Sequence, residues 1–408
     1  MRRIDYKWTL LLFLSVTFFI EQATRQVYSA TLPQIKLELG ATDAALGTVG
    51  SVFAAVFGFG LVASGLASDF LGRKRVLVVG TLLFSAAVLW AGFATGIAAL
   101  IVDYGILNAL GQCCIAPPSY SLISQYHDNT TRSTAMGIFQ SALYLGILLA
   151  SVFAGRLASA GGAGWRWAFW IFGGLGVVWA LSMAKGMRNT AQVQVEGEKV
   201  SVGEALLELL RKPTAVLIAL AFGMFIYASF GLRIWMTSFI ARSFDGITLA
   251  AAAFHSVFWF YAGALSGMML TARLIDRFGR NRPRIRLEVS ALGLLLSAVP
   301  MVWVVSTTNL TTCCVALVVL GLTCGVYEAA HYPAMFDCIA PRYRSTTTGL
   351  TGCLAYLIGS LAPVVLGLLS EAFSLRVGLM SLSGFFAAGA LLLLPGLLFF
   401  FKRDYVRQ

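Results

Sequence analysis

Charge is what this sequence has least of. Only 12% of its 408 residues are Asp, Glu, Lys or Arg, against about a quarter in an ordinary soluble domain. So few charges cannot cover a solvated surface of this size, which excludes a soluble globular protein. Histidine is nearly absent, at three residues, and no H-x-x-x-H or nucleophile-elbow pattern occurs. A membrane-embedded enzyme would need a clustered nucleophile, acid–base pair or metal site. An enzyme is therefore not expected, and neither is a metal or a cofactor. The Cys residues are odd in number and fall almost entirely in apolar runs; the adjacent pairs Cys113-Cys114 and Cys313-Cys314 lack zinc or redox spacing. They read as small buried hydrophobes. A soluble signalling domain, which a receptor would usually append, is also missing.

What fills the chain instead is apolar sequence, 58% of it hydrophobic, with a mean hydropathy of +0.81. Runs of about 20 apolar residues, long enough to cross a bilayer as helix, recur along it. The spans expected are 8–32, 44–67, 74–94, 97–124, 131–158, 165–186, 213–241, 249–273, 286–305, 311–334, 345–369 and 376–401. The charged N-terminus leads into a run too long for a signal peptide and reads as the first span. This predicts an all-α membrane protein of twelve transmembrane helices.

A net charge of +12 would suit nucleic acid, but the placement of the basic residues argues for a membrane. Arg2, Arg3 and Lys7 precede the first span, Arg73, Lys74 and Arg75 follow the second, Arg132 the fourth, and Lys185, Arg188, Lys199, Arg211 and Lys212 the sixth. Arg273 to Arg286 supplies six Arg after the eighth, and Arg342 and Arg344 follow the tenth. The alternate connections hold only Lys36, Arg156, Arg166, Arg242 and Arg376. This is the positive-inside bias, with both termini in the cytoplasm.

The longest hydrophilic stretch lies in the middle. It divides the chain into a six-helix bundle over 1–188, a cytoplasmic linker over 189–212 and a second six-helix bundle over 213–408. Within the linker, Val200, Ala205, Leu206, Leu209 and Leu210 are spaced for a short amphipathic helix on the membrane surface. The two halves resemble each other. GLASDFLGRKR (Gly65 to Arg75) returns as ARLIDRFGRNR (Ala272 to Arg282), with Asp69 and Asp276 207 positions apart. RSTAMG at Arg132 returns as RSTTTG at Arg344, 212 positions later, and Tyr144-Leu145 and Tyr356-Leu357 keep that offset. A duplicated six-helix unit accounts for this. Parallel repeats place a substrate site between them near the bilayer midplane.

The G-x-x-x-D-x-x-G-R-K/R loop, with its degenerate second copy, resembles the signature of the major facilitator superfamily, and the resemblance runs the length of the chain. It implies a transporter of two pseudo-symmetric six-helix bundles. It also implies cytoplasmic gate roles for Asp69, Arg73, Asp276 and Arg280, joined by Arg132 and Arg344. The other reading of these residues is as positive-inside anchors.

A charge at the bilayer centre costs about 2.5–3.5 kcal/mol on insertion scales, so the few that occur are functional or paired. They are Glu21 and Arg25 in span one, Arg233 in span seven, His255 in span eight, and Glu328 and His331 in span ten. Arg25 and Arg233 lie 208 positions apart, within the offsets of the repeat, so each half carries one cation at an equivalent place. A planar guanidinium binds carboxylate or phosphate bidentately. Tyr28 lies near Arg25. Tyr104, Asn108 and Gln112 form an i, i+4, i+8 stripe on span four, and Gln140 and Tyr144 share a face of span five; with Tyr28 they are the residues expected to line the substrate cavity that the two Arg face. Arg25 also has an i, i+4 ion pair with Glu21 open to it, and Arg233 has the outer surface within reach. Glu21, Glu328 and His331 are candidate proton carriers; Glu328 and His331 equally suit a hydrogen-bonded structural pair. His255, among Phe254, Phe258 and Trp259, reads as packed.

ATRQVYSATLPQI (Ala23 to Ile35) resembles the first helix of the organic-anion and organophosphate branches, with Arg25 eight residues before Pro33. GLRIWMTSFI (Gly231 to Ile240) resembles their seventh, with Trp235. Arg233 is displaced by about one turn from the organophosphate pattern, which has its Arg where this chain has Ser229. Span four departs further: Gly105 and Gln112 stand where spinster-like and organic-anion relatives often carry Arg and Glu, so coupling falls to Glu21, Glu328 or His331. Span five lacks the Gly-Pro signature of drug–proton antiporters. The expectation is a monomeric secondary transporter in a bacterial inner membrane. It would move a small organic anion of the carboxylate type, with uptake coupled to protons, exchange and facilitated diffusion all open to it, and no nucleic acid; the alternative is an exporter of an amphipathic, lipid-like or drug-like compound.

Overall fold

In hydrocarbon a backbone has no hydrogen-bond partner but itself, so long apolar runs fold as helices. The computed structural model describes residues 6–127, 131–161, 163–188, 201–279 and 284–406, with the side chains of 66, 69, 132, 133, 273, 276–279 and 345 outside the description. Among the described residues the regular structure is entirely helical. The first six spans are α1 (Tyr6–Leu39), α2 (Asp43–Leu71), α3 (Arg73–Ala91), α4 (Ile97–Tyr126), α5 (Arg132–Ser159) and α6 (Gly164–Gly186). A short helix, α7 (Val202–Arg211), precedes α8 (Pro213–Ser243), α9 (Leu249–Gly279), α10 (Ile285–Ser306) and α11 (Leu310–Phe336). The twelfth helix, α12, runs as two segments, Arg344–Gly359 and Leu361–Ala372, and α13 spans Leu375–Asp404. Eleven of these are long and apolar enough to cross a membrane; α1, with Glu21 and Arg25, is the twelfth expected span. The protein is an all-α membrane protein. Helix α1 outruns its expected end because Pro33 is accommodated inside it, at the loss of one backbone hydrogen bond.

The chain forms two units, one of residues 1–195 with 246–254 and the other of 196–245 with 255–408. In the first, α1 packs on α5 and α6, and α3 on α6 and α4. Leu14, Phe18, Leu77, Phe84, Ile123, Phe139 and Met183 share its core, with the Phe18 and Phe139 rings stacked 4.3 Å apart. Close approach is set by glycine: a Cβ at Gly146 of α5 would overlap the Phe19 carbonyl oxygen of α1. Gly72, at the sharp turn between α2 and α3, has φ +87°, a left-handed conformation that suits glycine. At one end of the unit Arg166 gathers Glu38 (Nη2 to Oε1, 2.9 Å) and the carbonyls of Gly92 and Ala94 (2.9 and 2.8 Å). Trp165 Nε1 donates to the other Glu38 oxygen.

In the second unit α8 packs on α13 and α12, and α10 on α11 and α13. The chain end closes it. Asp404 Oδ2 accepts from the Thr214 backbone N–H (2.8 Å), capping α8, and the Val406 N–H donates to the Asp337 carbonyl (2.8 Å). Helix α7 buries Ala205 and Leu209 and leaves Val202, Leu206, Leu207 and Leu210 exposed. The expected linker residues 189–200 lie outside the described residues.

Candidate functional site

Helix α1 turns an unusual row of polar residues inward: Glu21, Gln22, Thr24, Arg25 and Gln26 are all buried. Arg25 is 7% exposed and Glu21 1%. Their spacing of one helical turn brings Arg25 Nη2 to 2.8 Å from Glu21 Oε1, while Glu21 Oε2 has no hydrogen-bond partner. Arg25 Nε donates to Gln112 Oε1 of α4 at 3.0 Å. The guanidinium lies over two rings of α2, with Phe57 at 4.6 Å and Phe53 at 5.2 Å from its centre. Those contacts hold the cation by ring quadrupoles as well as by hydrogen bonds.

The stripe on α4 is organised by this pair. A π-type winding over Ile101–Asn108 rephases the helix locally. Tyr104 OH donates to the Arg25 carbonyl (3.0 Å). Gln112 Nε2 donates to Asn108 Oδ1 (2.9 Å) and Thr24 Oγ1 (3.2 Å). Asn108 Nδ2 is buried without a partner. Tyr28 stacks on Tyr104 (4.7 Å) and donates to the Leu46 carbonyl (2.7 Å). Tyr28, Asn108 and Gln112 are thus spent on helix–helix contacts around Arg25. Gln140 and Tyr144 are half-buried on α5, and Gln140 accepts from Tyr120 OH at 3.3 Å. The Phe53 and Phe57 platform escaped the sequence reading, although an i, i+4 aromatic pair on α2 was there to be seen.

In the second unit Arg233 is half-buried on α8 and acts electrostatically on Glu328 of α11, which is exposed. His331 is buried and donates from Nδ1 to the Glu328 backbone carbonyl at 3.2 Å, so it meets the main chain and not the carboxylate. Its ring lies 4.6 Å from Phe222, 5.1 Å from Tyr327 and 4.0 Å from Tyr332. Trp235 is fully buried, its Nε1 donating to the Pro363 carbonyl at 3.1 Å. His255 accepts from Trp259 Nε1 at 2.9 Å.

Of the expected gate residues, Arg73 Nη1 donates to Gln125 Oε1 (2.5 Å) and Arg344 Nη2 to the Phe336 carbonyl (2.8 Å). The side chains of Asp69, Arg132 and Asp276, and the whole of Arg280, lie outside the described residues. A contact absent from the sequence reading is Arg286 Nη1 to Asp337 Oδ1, 2.5 Å. Burial pushes the Asp337 carboxyl above its usual range, with Arg286 pulling the other way. Asp337 lies 212 positions after Gln125, at the repeat's own offset, so one half carries an acid where the other carries an amide. No cluster of three or more His, Cys, Asp or Glu able to hold a metal occurs among the described residues.

Residues 14–363 match the Major Facilitator Superfamily. The chain is similar to the probable 4-methylmuconolactone transporter of Cupriavidus pinatubonensis, 26% identical over 91% of this chain and 86% of that one. It is also similar to the probable sulfoacetate transporter of Cupriavidus necator, 27% identical over 96% and 92% respectively. Its fold is similar to that of a bacterial homologue of the human lysosomal transporter Spinster, solved inward-facing and unoccupied, with a TM-score of 0.88 at 21% identity over 100% of both chains. A multi-pass helical membrane protein with this family match and these relatives is no enzyme: the chain belongs to the Major Facilitator Superfamily of membrane transporters.

Proposed function

We propose that the protein moves a small organic anion of the carboxylate type across the membrane by alternating access, coupled to protons. The observation that carries this is the buried Arg25, held on two rings and the Gln112 amide with Glu21 as its counter-ion. A guanidinium fixed in this way can exchange one carboxylate for another at little cost in reorganisation. The names borne by the two relatives, which concern a lactone and the organic anion sulfoacetate, support this reading.

In this reading Arg25 and Arg233 meet the substrate, with Gln140 and Tyr144 beside them. Tyr28, Asn108, Gln112 and Trp235 hold the surrounding helices. Glu21 takes a proton as it yields Arg25 to the anion, and Glu328 does the same for Arg233. His331, stacked and bonded to the main chain, supports Glu328. The halves 1–188 and 213–408, joined by the linker 189–212, rock about the substrate site to alternate access. Arg73, Arg344, Asp69, Arg132, Asp276 and Arg280 close the cytoplasmic side. The protein works as a monomer in a bacterial inner membrane, both termini cytoplasmic.

The test is uptake into proteoliposomes of labelled mono- and dicarboxylates, sulfoacetate and phosphate esters, with and without an imposed pH gradient. Accumulation of a carboxylate that an acid exterior accelerates supports the reading. Indifference to every anion, with transport of lysolipids instead, would replace it by export of an amphipathic compound.

A further inference from the structure

Gln112 is fully buried, and its amide can point only one way. Oε1 faces Arg25 Nε at 3.0 Å, which has a hydrogen to give and nothing to accept with. Turning the amide over would set donor against donor. Nε2 must then face Asn108 Oδ1 at 2.9 Å and Thr24 Oγ1 at 3.2 Å. Asn108, used as an acceptor, keeps its Nδ2 buried and unpartnered. Hydrogen-bond donation thus has a direction, from Arg25 through Gln112 to Asn108, and only a neutral group that both accepts and donates can sit in the middle.

The two hydrogen bonds on Arg25 occupy Nε and Nη2; Nη1 is given to neither. A carboxylate at position 112 would accept from Arg25 but could not donate to Asn108 or Thr24, and would bring a second negative charge to one guanidinium. The other titratable groups close by are Tyr104 and Tyr28, each donating to a carbonyl, and Cys113, whose Sγ lies 3.1 Å from the Leu110 carbonyl. From α2 the facing groups are the uncharged rings of Phe53 and Phe57.

We propose that Gln112 is a positioning residue for anion transport: its neutral amide aims Arg25 and keeps Glu21 as the single carboxylate on that cation. This rests on the reading that the anion meets Arg25. The substrate's negative charge then competes with one side chain and not two, and a single proton on Glu21 frees the guanidinium.

The experiment compares the full-length parent with Gln112→Glu and Gln112→Leu, in proteoliposomes taking up labelled sulfoacetate and a dicarboxylate, and in detergent by melting temperature, each from about pH 5 to about pH 8. Gln112→Glu should raise KM about tenfold near neutrality with kcat little changed, a loss of about 1.4 kcal/mol in affinity. The gap should narrow toward acid, where the introduced carboxyl carries a proton and again donates to Asn108. Gln112→Leu should raise KM by several-fold without adding a pH-dependent limb. A Gln112→Glu protein with the parent's KM and pH profile overturns the proposal. If the parent carries no anion at all, the transport reading fails on its own and melting decides the role of Gln112. A melting deficit in Gln112→Glu that grows with pH supports positioning, and parent-like melting at every pH rejects it.

Discussion

Arg25 and Glu21 face each other across one turn of α1 at 2.8 Å, both buried, with the second carboxylate oxygen of Glu21 left without a partner. Such a pair is poised to be divided, because either member can be satisfied by something that arrives from outside. Arg25→Ala should abolish saturable anion uptake, whereas Arg25→Lys should leave a remnant, since a point charge replaces a planar fork. A loss of about 3–5 kcal/mol, or more than a hundredfold in kcat/KM, is the scale for stripping one partner from a buried pair. Parent-like uptake by Arg25→Ala at low substrate would remove the anion site from α1.

Glu21→Gln separates shielding from coupling. It keeps a hydrogen-bond acceptor for Arg25 while removing the titrating proton. Substrate binding and exchange should persist, and accumulation driven by a pH gradient should vanish. Flux measured in both modes on one preparation checks this; a variant that still concentrates substrate under the gradient clears Glu21 of the proton.

Arg233 and Glu328 lie on different helices of the second unit and interact electrostatically, so their substitutions should not add. Glu328→Gln and Arg233→Gln together should cost less in kcat/KM than the two single effects summed, with a coupling of about 1 kcal/mol or more. Additive losses would mean the two residues serve separate purposes.

The Arg286–Asp337 contact predicts a pH-dependent stability. Asp337 is 1% exposed, and Arg286→Ala leaves its carboxyl without the 2.5 Å cation, at a cost of about 3 kcal/mol. Burial already raises this group, so its folded form holds a proton more readily than its unfolded form. Its contribution to stability is present at low pH and lost as pH rises through the carboxylate range. The melting deficit of Arg286→Ala should therefore be smallest in acid and widen toward neutrality, readable in a melting series across pH.

Asp404 should matter although it lies at the end of the chain. Its carboxylate caps the first turn of α8 through the Thr214 N–H at 2.8 Å. Asp404→Ala should destabilise by about 1–2 kcal/mol, the usual worth of a cap. Thermal unfolding of the purified variant measures it, and an unchanged midpoint would make the contact incidental.

Much of this was legible in the residues. Periodic runs of apolar sequence can be satisfied only by helices in a bilayer, so twelve spans and the near-constant offset between Asp69 and Asp276 could be read without coordinates. Partnership was less legible. Arg25 and Glu21 share a helix, and their pairing follows from one turn of spacing. Arg233 acts electrostatically on Glu328 of α11, 95 residues away, and no local rule connects the two. Tyr28, Asn108 and Gln112 lie around Arg25. Their burial, and the direction of their hydrogen bonds, depended on how closely α4 approaches α1.

What the sequence determined by itself was therefore the architecture and the inventory: a helical, duplicated membrane transporter with one arginine per half in a sparse set of intramembrane charges. Hydropathy and repeat offsets are additive along the chain, which is why they survive being read in one dimension. The tertiary structure decided which atoms meet. It set Arg25 on the rings of Phe53 and Phe57, turned Gln112 into a directed link to Asn108, and carried Asp404 to the start of α8. Hydrogen bonds and desolvated charges act over a few ångströms between residues remote in sequence, so only packing could settle them.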